Sequence, residues 1–262
     1  MSLRARSKTF CTNISLSICA LMVLCCFAST VYAEGESDRV VLRDNIAKAQ
    51  SLQLAAALKK IAGSPDLRFD EKGTLRLGTK DPKAGSAMAR ALLEKAVAGA
   101  KVIVLEDASN RSDVAFCSVF PGLWLRNAAR RPTAYVVLID FADFQKLIGD
   151  RRALEAYDVG WAVLHELDHV VNDSEDSTSS GKTGDCEDHI NAMRRELQLP
   201  ERTEYFYTLF PVSGDGNLFP TRLVRLAFEA REESPKKKRY WLMWDAALVG
   251  GVVESKELAV LK

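Results

Sequence analysis

An α+β fold is predicted for this chain of 262 residues, on three observations. Two N-terminal segments carry apolar residues at helical spacing. Three short β-branched runs follow them, and two further helical segments come next. Alternating runs then return near the C-terminus.

Taken in order, Val40–Ala62 places Ile46, Leu52, Leu54, Ala55, Leu58 and Ile61 at helical spacing and stops at Gly63-Ser64-Pro65. Leu67–Leu77 alternates around Glu71-Lys72-Gly73, which predicts a small hairpin. Ala84–Ala98 is helical again, with Met88, Leu92, Leu93 and Val97 as its core side. Lys101–Glu106, Asp113–Phe120 and Thr133–Ile139 are expected as strands because β-branched and aromatic residues dominate them. Phe141–Ile148 is expected as a short helix, and Arg151–Val171 as a single longer one. Asn172–Asp185 is polar, serine-rich and aperiodic, the pattern of a flexible surface loop. A second helix starts at Asp185 as its cap, buries Cys186, Ile190, Met193 and Leu197, and ends at Leu199-Pro200. Leu223–Ala230 and Arg239–Trp244 read as a hairpin around Ser234-Pro235-Lys236, while Ala246–Leu261 fits strand or helix.

Residues 1–33 have the pattern of a signal peptide. Arg4, Arg6 and Lys8 precede the uncharged apolar run Ile14–Ala28, and Val31-Tyr32-Ala33 offers small residues at a cleavage site. The apolar run is shorter than the roughly 20 residues a membrane-spanning helix needs, although an uncleaved anchor is the alternative. The mature chain is therefore expected to be exported, periplasmic or secreted, without stable membrane insertion. Removing those three basic residues takes the formal charge from +1 to −2. Such a balance gives no electrostatic case for nucleic acid or an anionic membrane. Lys236-Lys237-Lys238-Arg239 is best read as a solvated turn. Only Cys117 and Cys186 survive processing, and an oxidising compartment favours a disulfide between them over two free thiols.

The chemistry is concentrated in Trp161–Val171, W-A-V-L-H-E-L-D-H-V-V. His165 and His169 are one helical turn apart and project from one face, so their imidazoles can share an ion. Glu166 lies about 100° round the axis and can reach a water held there. This is the H-E-x-x-H arrangement of two zinc ligands and a general base. Val159, Val163, Leu167 and Val170 form the apolar stripe on the opposite side.

Over this motif and the segment to about Leu199, the sequence resembles the zincin metallopeptidases, more loosely their branch with a glutamate as third ligand. That resemblance implies a small mixed sheet with an edge strand beside the cleft, packed on the motif helix. A ligand helix and a C-terminal hairpin follow. It also implies Zn2+ as cofactor and peptides or proteins as substrates. Residues 34–262 then form a single metallohydrolase domain, with a helical part at 34–98, the metal-site core at 99–200 and a C-terminal part at 201–262.

A catalytic zinc wants three protein ligands and an open position. Glu187 is the expected third ligand, at a spacing close to the shortest loop of glutamate-type zincins. His189 is the rival, followed by Asp185 and Asp188, and Asn191 and Arg194 are placed to orient Glu187. With Glu166 as general base, the reading is hydrolysis assisted by zinc. Tyr205, Tyr207 and Arg202 are the candidate oxyanion donors. Asp168 is expected to accept a hydrogen bond from a ligand histidine or to pair with Arg194 or Arg195. Zincins usually carry an uncharged residue there, whereas deformylases carry aspartate. Together with Cys117-Ser118-Val119-Phe120-Pro121-Gly122, this echoes a deformylase-like amidase with Cys117 as third ligand, but the expected upstream glycine-rich motif is missing. A non-catalytic exported metal-binding protein is the other alternative, marked by a fourth protein ligand closing the coordination sphere.

Overall fold

Short strands and well-formed helices alternate along the chain, and the result is a mixed α+β architecture. The computed structural model describes residues 39–79, 81–109, 111–122, 134–206, 208–209, 223–230 and 237–250. They all belong to one unit, Glu36–Lys262. The expected signal peptide lies outside the described residues, as do the hairpin tip at 234–236 and the tail beyond 250.

In order come β1 (Val40–Leu42), α1 (Lys48–Ala62), β2 (Arg68–Phe69), β3 (Leu75–Arg76), α2 (Ala87–Ala98) and β4 (Val102–Asp107). Then follow β5 (Cys117–Pro121), β6 (Ala134–Ile139), α3 (Phe141–Phe144), β7 (Ile148–Gly149), α4 (Arg151–Glu155) and α5 (Val159–Asn172). The chain continues through α6 (Gly184–Glu196), β8 (Glu201–Arg202), β9 (Thr208–Leu209), β10 (Leu223–Ala230) and β11 (Lys238–Asp245).

The first sheet has the order β1-β4-β6-β5. β1, β4 and β6 are parallel, and β5 is antiparallel at the edge, pairing Cys117 with Ile139 and Pro121 with Tyr135. The second sheet is antiparallel, β7-β11-β10-β8, with β9 also on β10. β2 and β3 form the expected hairpin.

Several expectations need correction. Val40–Leu42 is a strand rather than the start of a helix, because its backbone groups pair with β4. The expected helix at 141–148 is a single turn, and Ile148–Gly149 pairs with β11 instead. The expected helix at 151–171 is two helices. Asp158 separates them, its side chain accepting from the amides of Gly160 and Trp161 at 2.9 and 3.2 Å. Met88 is 37% exposed, while Leu92 and Leu93 of the same helix are buried. Thr183, not Asp185, holds the N-cap position of α6.

Two cores result. The larger joins α1, α2, α5 and α6 to the first sheet. The smaller gathers Phe116, Ala153, Ala156, Val224, Leu226, Phe228, Leu242 and Trp244 on the second sheet. The stripe Val159, Val163, Leu167 and Val170 is buried as expected, and Trp161, Ala162, Leu164, Glu166 and Asp168 of α5 are buried as well. Gly160 lets α1 approach closely, since a Cβ there would meet Ala57 Cβ at 2.8 Å and Ile61 Cδ1 at 2.9 Å. Among the described residues, no helix is long and apolar enough to cross a membrane.

Candidate metal centre

His165 and His169 lie one turn apart on α5, largely covered, with ring centroids 4.8 Å apart and planes nearly perpendicular at 85°. Their Nε2 atoms are 3.2 Å from each other. The opposite nitrogens face acceptors: His169 Nδ1 donates to the Ser174 carbonyl at 2.8 Å, and His165 Nδ1 is 3.4 Å from Glu187 Oε2. With hydrogens on Nδ1, both Nε2 lone pairs converge on one point. A carboxylate joins them. Asp176 Oδ1 lies 3.0 Å from His165 Nε2, and Oδ2 lies 3.4 Å from His169 Nε2.

The separation of the two Nε2 atoms is close to the edge of a tetrahedron, about 3.3 Å, around an ion bound at 2.0–2.1 Å, and the Asp176 carboxylate reaches both nitrogens, one oxygen to each. The donor set also suits zinc, which takes imidazole nitrogen and carboxylate oxygen. Cys186 Sγ completes a group of four donor atoms lying within 4.8 Å of one another, and its thiol donates to the His165 carbonyl at 3.3 Å.

Asp176 comes from the segment expected to be a flexible loop, and sequence reasoning missed it. Asp173 ends α5 in the left-handed conformation (φ 53°) and turns the chain back over His169. The buried Asp168 carboxylate ties the returning segment down, accepting from Asn172 Nδ2 (2.5 Å), Ser174 Oγ (2.6 Å) and His189 Nδ1 (2.8 Å). Asp176 then bridges to Gly184, and the Cys186 amide donates to the Glu175 carbonyl at 3.2 Å. The only sequence signal for this turn was Asn172-Asp173, residue types that tolerate the left-handed region and can stop a helix.

The other expected site residues are partly redistributed. Glu187, expected as third ligand, addresses the outer nitrogen of His165. It is buried and bound by Arg194 Nη1 and, at 3.0 Å, by Arg202 Nη1. Asn191 and Arg194 do organise it, since Arg194 Nη1 also donates to Asn191 Oδ1 at 2.9 Å. His189 serves Asp168 rather than the cluster. Asp185 and Asp188 are exposed, and Asp188 accepts from Thr183 Oγ1. Asp168 supports a second histidine, but not one of the pair, and makes no ion pair with Arg194 or Arg195. Cys117 and Cys186 are free thiols, so the expected bridge is not formed. Cys117 sits on β5 outside the four-donor group, and burial pushes its thiol well up.

Electrostatically the cluster calls for positive charge. Burial pushes His165 down, but Asp176, Cys186 and Glu187 outweigh it and hold the imidazole well above its usual value. Burial opposes protonation of His169 as well, yet Asp176 and Cys186 bring it up to about 11. Burial raises Asp176, and the two histidines more than reverse this and hold it far below the carboxylate range. Glu166 differs. Burial pushes its carboxyl up, against the nearby histidines and the Val119 amide.

A cavity of about 310 Å³ opens beside His165 and Glu166 where the two cores meet. Tyr205 lines it, its ring stacked on His165 at 6.1 Å and 18°. Arg202 holds that segment through the carbonyls of Glu204 (3.0 Å) and Tyr205. Tyr207 lies outside the described residues. Comparison with protein-family models, curated proteins and solved structures gives no match.

Proposed function

We propose that this protein is a zinc-dependent hydrolase of peptide amide bonds, with His165, His169 and Asp176 holding the metal and Glu166 as general base. The observation that carries the reading is the juxtaposition of two imidazole nitrogens 3.2 Å apart with one carboxylate, whose oxygens lie 3.0 and 3.4 Å from them, a donor set that suits zinc. It supports the resemblance to zincins with one change: an aspartate from the returning loop stands where a glutamate from the next helix was expected.

When bound, zinc would acidify water toward a pKa of about 7 and polarise a carbonyl. The chain's own residues do the rest. Glu166, whose carboxyl burial raises, is the residue to take a proton from water and return it to a leaving amine. The Glu187 carboxylate, 3.4 Å from Nδ1 of His165, favours the hydrogen on that nitrogen and so leaves Nε2 for the ion. The Ser174 carbonyl does the same for His169. Tyr205, whose ring stacks on His165 and lines the cavity, is the donor best placed for a developing oxyanion. The reading of segment 1–33 as an export signal supports substrates outside the cytoplasm.

The test is Glu166→Gln measured on a peptide mixture. Zinc content should be unchanged while hydrolysis falls by about 10²–10⁴-fold. Equal turnover by both proteins would remove Glu166 from the chemistry. A second reading is favoured by one observation, the presence of Cys186 in the donor group. With its thiolate as fourth ligand the site would be closed and structural. Cobalt substitution separates the two, because a sulfur-to-cobalt charge-transfer band appears only if Cys186 coordinates. The deformylase-like reading loses support, since Cys117 stands outside the donor group.

A further inference from the structure

Six of the side chains that line the 310 Å³ cavity are aromatic: Phe116, Tyr157, Trp161, Tyr205, Phe206 and Trp244. The chain holds Phe116 there at a cost. Its φ of 60° is a left-handed backbone, a strained conformation for a bulky residue. Two buried aspartates, Asp140 and Asp143, fix it. The Phe116 amide donates to Asp143 Oδ2 at 3.1 Å, and the Phe116 carbonyl accepts from the Asp140 amide at 2.8 Å. Directly before β5 begins at Cys117, the ring thus stands edge-on to Tyr157 (5.5 Å, 89°) and to Trp244 (5.2 Å, 86°). Apart from His165 and Glu166, the charged groups of the lining are matched. Glu187 lies between Arg194 and Arg202, and Asp113 pairs with Arg111 at 2.7 Å. The guanidiniums of Arg194 and Arg202 also stand 5.2 and 5.1 Å from the ring centroids of Trp161 and Tyr205, where a bound cation would stack.

We propose that this cavity receives the neutral aromatic side chain of a peptide, with Phe116 as the residue that determines the specificity. A volume of about 310 Å³ is at the small end for ligand pockets, room for one ring rather than for a stretch of chain. Rings set edge-on offer a further ring the tilted and offset contacts that aromatic pairs prefer. A neutral ring needs no counter-charge. An acid would meet Glu166 and Asp113, and a cation would meet the two guanidiniums and lose its hydration. His165 and Glu166 line the same cavity, so the ring would anchor a residue next to the bond to be cut. The inference rests on the hydrolase reading only in that last step; binding of the ring needs neither metal nor turnover.

The test is the binding of three capped amino acids to the purified protein: N-acetylphenylalaninamide, N-acetylalaninamide and N-acetyllysinamide. Trp161 and Trp244 line the cavity, so tryptophan fluorescence follows the binding. The phenylalanine amide is expected to bind at least about tenfold more tightly than the alanine amide, through burial of one ring, and more tightly than the lysine amide. Glycine adopts a φ of 60° without strain, so Phe116→Gly removes the ring and keeps the turn accessible. In that variant the preference for phenylalanine over alanine should fall to about threefold or less. Should the variant unfold by circular dichroism, the wild type decides alone. Equal binding of the phenylalanine and alanine amides, no binding of either, tightest binding of the lysine amide, or an unchanged preference in folded Phe116→Gly would overturn the proposal. A preference for the ring in a protein that cuts no peptide would support the pocket and sink only the hydrolase reading.

Discussion

Two imidazole nitrogens that face each other at 3.2 Å with their hydrogens on the far side repel unless a cation or a proton stands between them. Asp176 adds negative charge to the same point. Its removal should therefore cost more than the loss of any neighbour: Asp176→Ala is expected to weaken zinc binding by about a hundredfold or more in chelator competition. Glu187→Gln should weaken it by about 10–100-fold, the range for partners that orient a ligand. The reverse order would restore Glu187 as the ligand. The histidine pair and Glu166 were legible in the sequence because a helix converts a spacing of four into a shared face. Glu187 was legible as a residue aimed at the motif helix, but not as one aimed at Nδ1. A sequence pattern gives the facing edge of a helix, whereas the choice between two ring nitrogens depends on a few ångströms.

At the scale of elements, the returning loop is the part that sequence periodicity could not supply. Its path depends on contacts of single residues: the left-handed turn at Asp173, the three bonds to Asp168, and the close approach at Gly184. Gly184 has φ +79°, and a Cβ there would lie 2.3 Å from the Ser177 nitrogen and 2.7 Å from the Asp176 carbonyl carbon. Gly184→Ala should destabilise the fold by about 1–3 kcal/mol in denaturant unfolding and weaken zinc binding with it. Unchanged zinc affinity would mean that the loop holds Asp176 without this contact. The short strand β1 and the break at Asp158 were unreadable for related reasons. Three residues carry no usable period, and a capping aspartate inside an apolar pattern is recognised only when its bonds are seen.

Over the whole molecule, the buried group Glu187, Arg194 and Arg202 links α6 to β8 and couples stability to pH. Burial raises the Glu187 carboxyl, but the two guanidiniums outweigh it and hold it well below the usual range. A depressed carboxylate stabilises the fold fully above its unfolded pKa, about 4.3, and this stabilisation is lost as the pH falls below that value. The Tm of the metal-free protein should accordingly fall between about pH 5 and pH 3, and less steeply in Glu187→Gln. For the histidines the sign is opposite. Their raised values stabilise the metal-free fold below about pH 6.5, and for His169 this contribution is lost as the pH rises through about 11. Protons and zinc compete for the same lone pairs, so zinc affinity should rise with pH.

The most direct measurement is the zinc content of the purified chain after loading and exhaustive dialysis, compared with Asp176→Ala and Glu187→Gln. Wild type and Glu187→Gln are expected to retain one zinc per chain, and Asp176→Ala none. Retention of zinc by Asp176→Ala, or its absence from the wild type, would contradict the assigned metal centre.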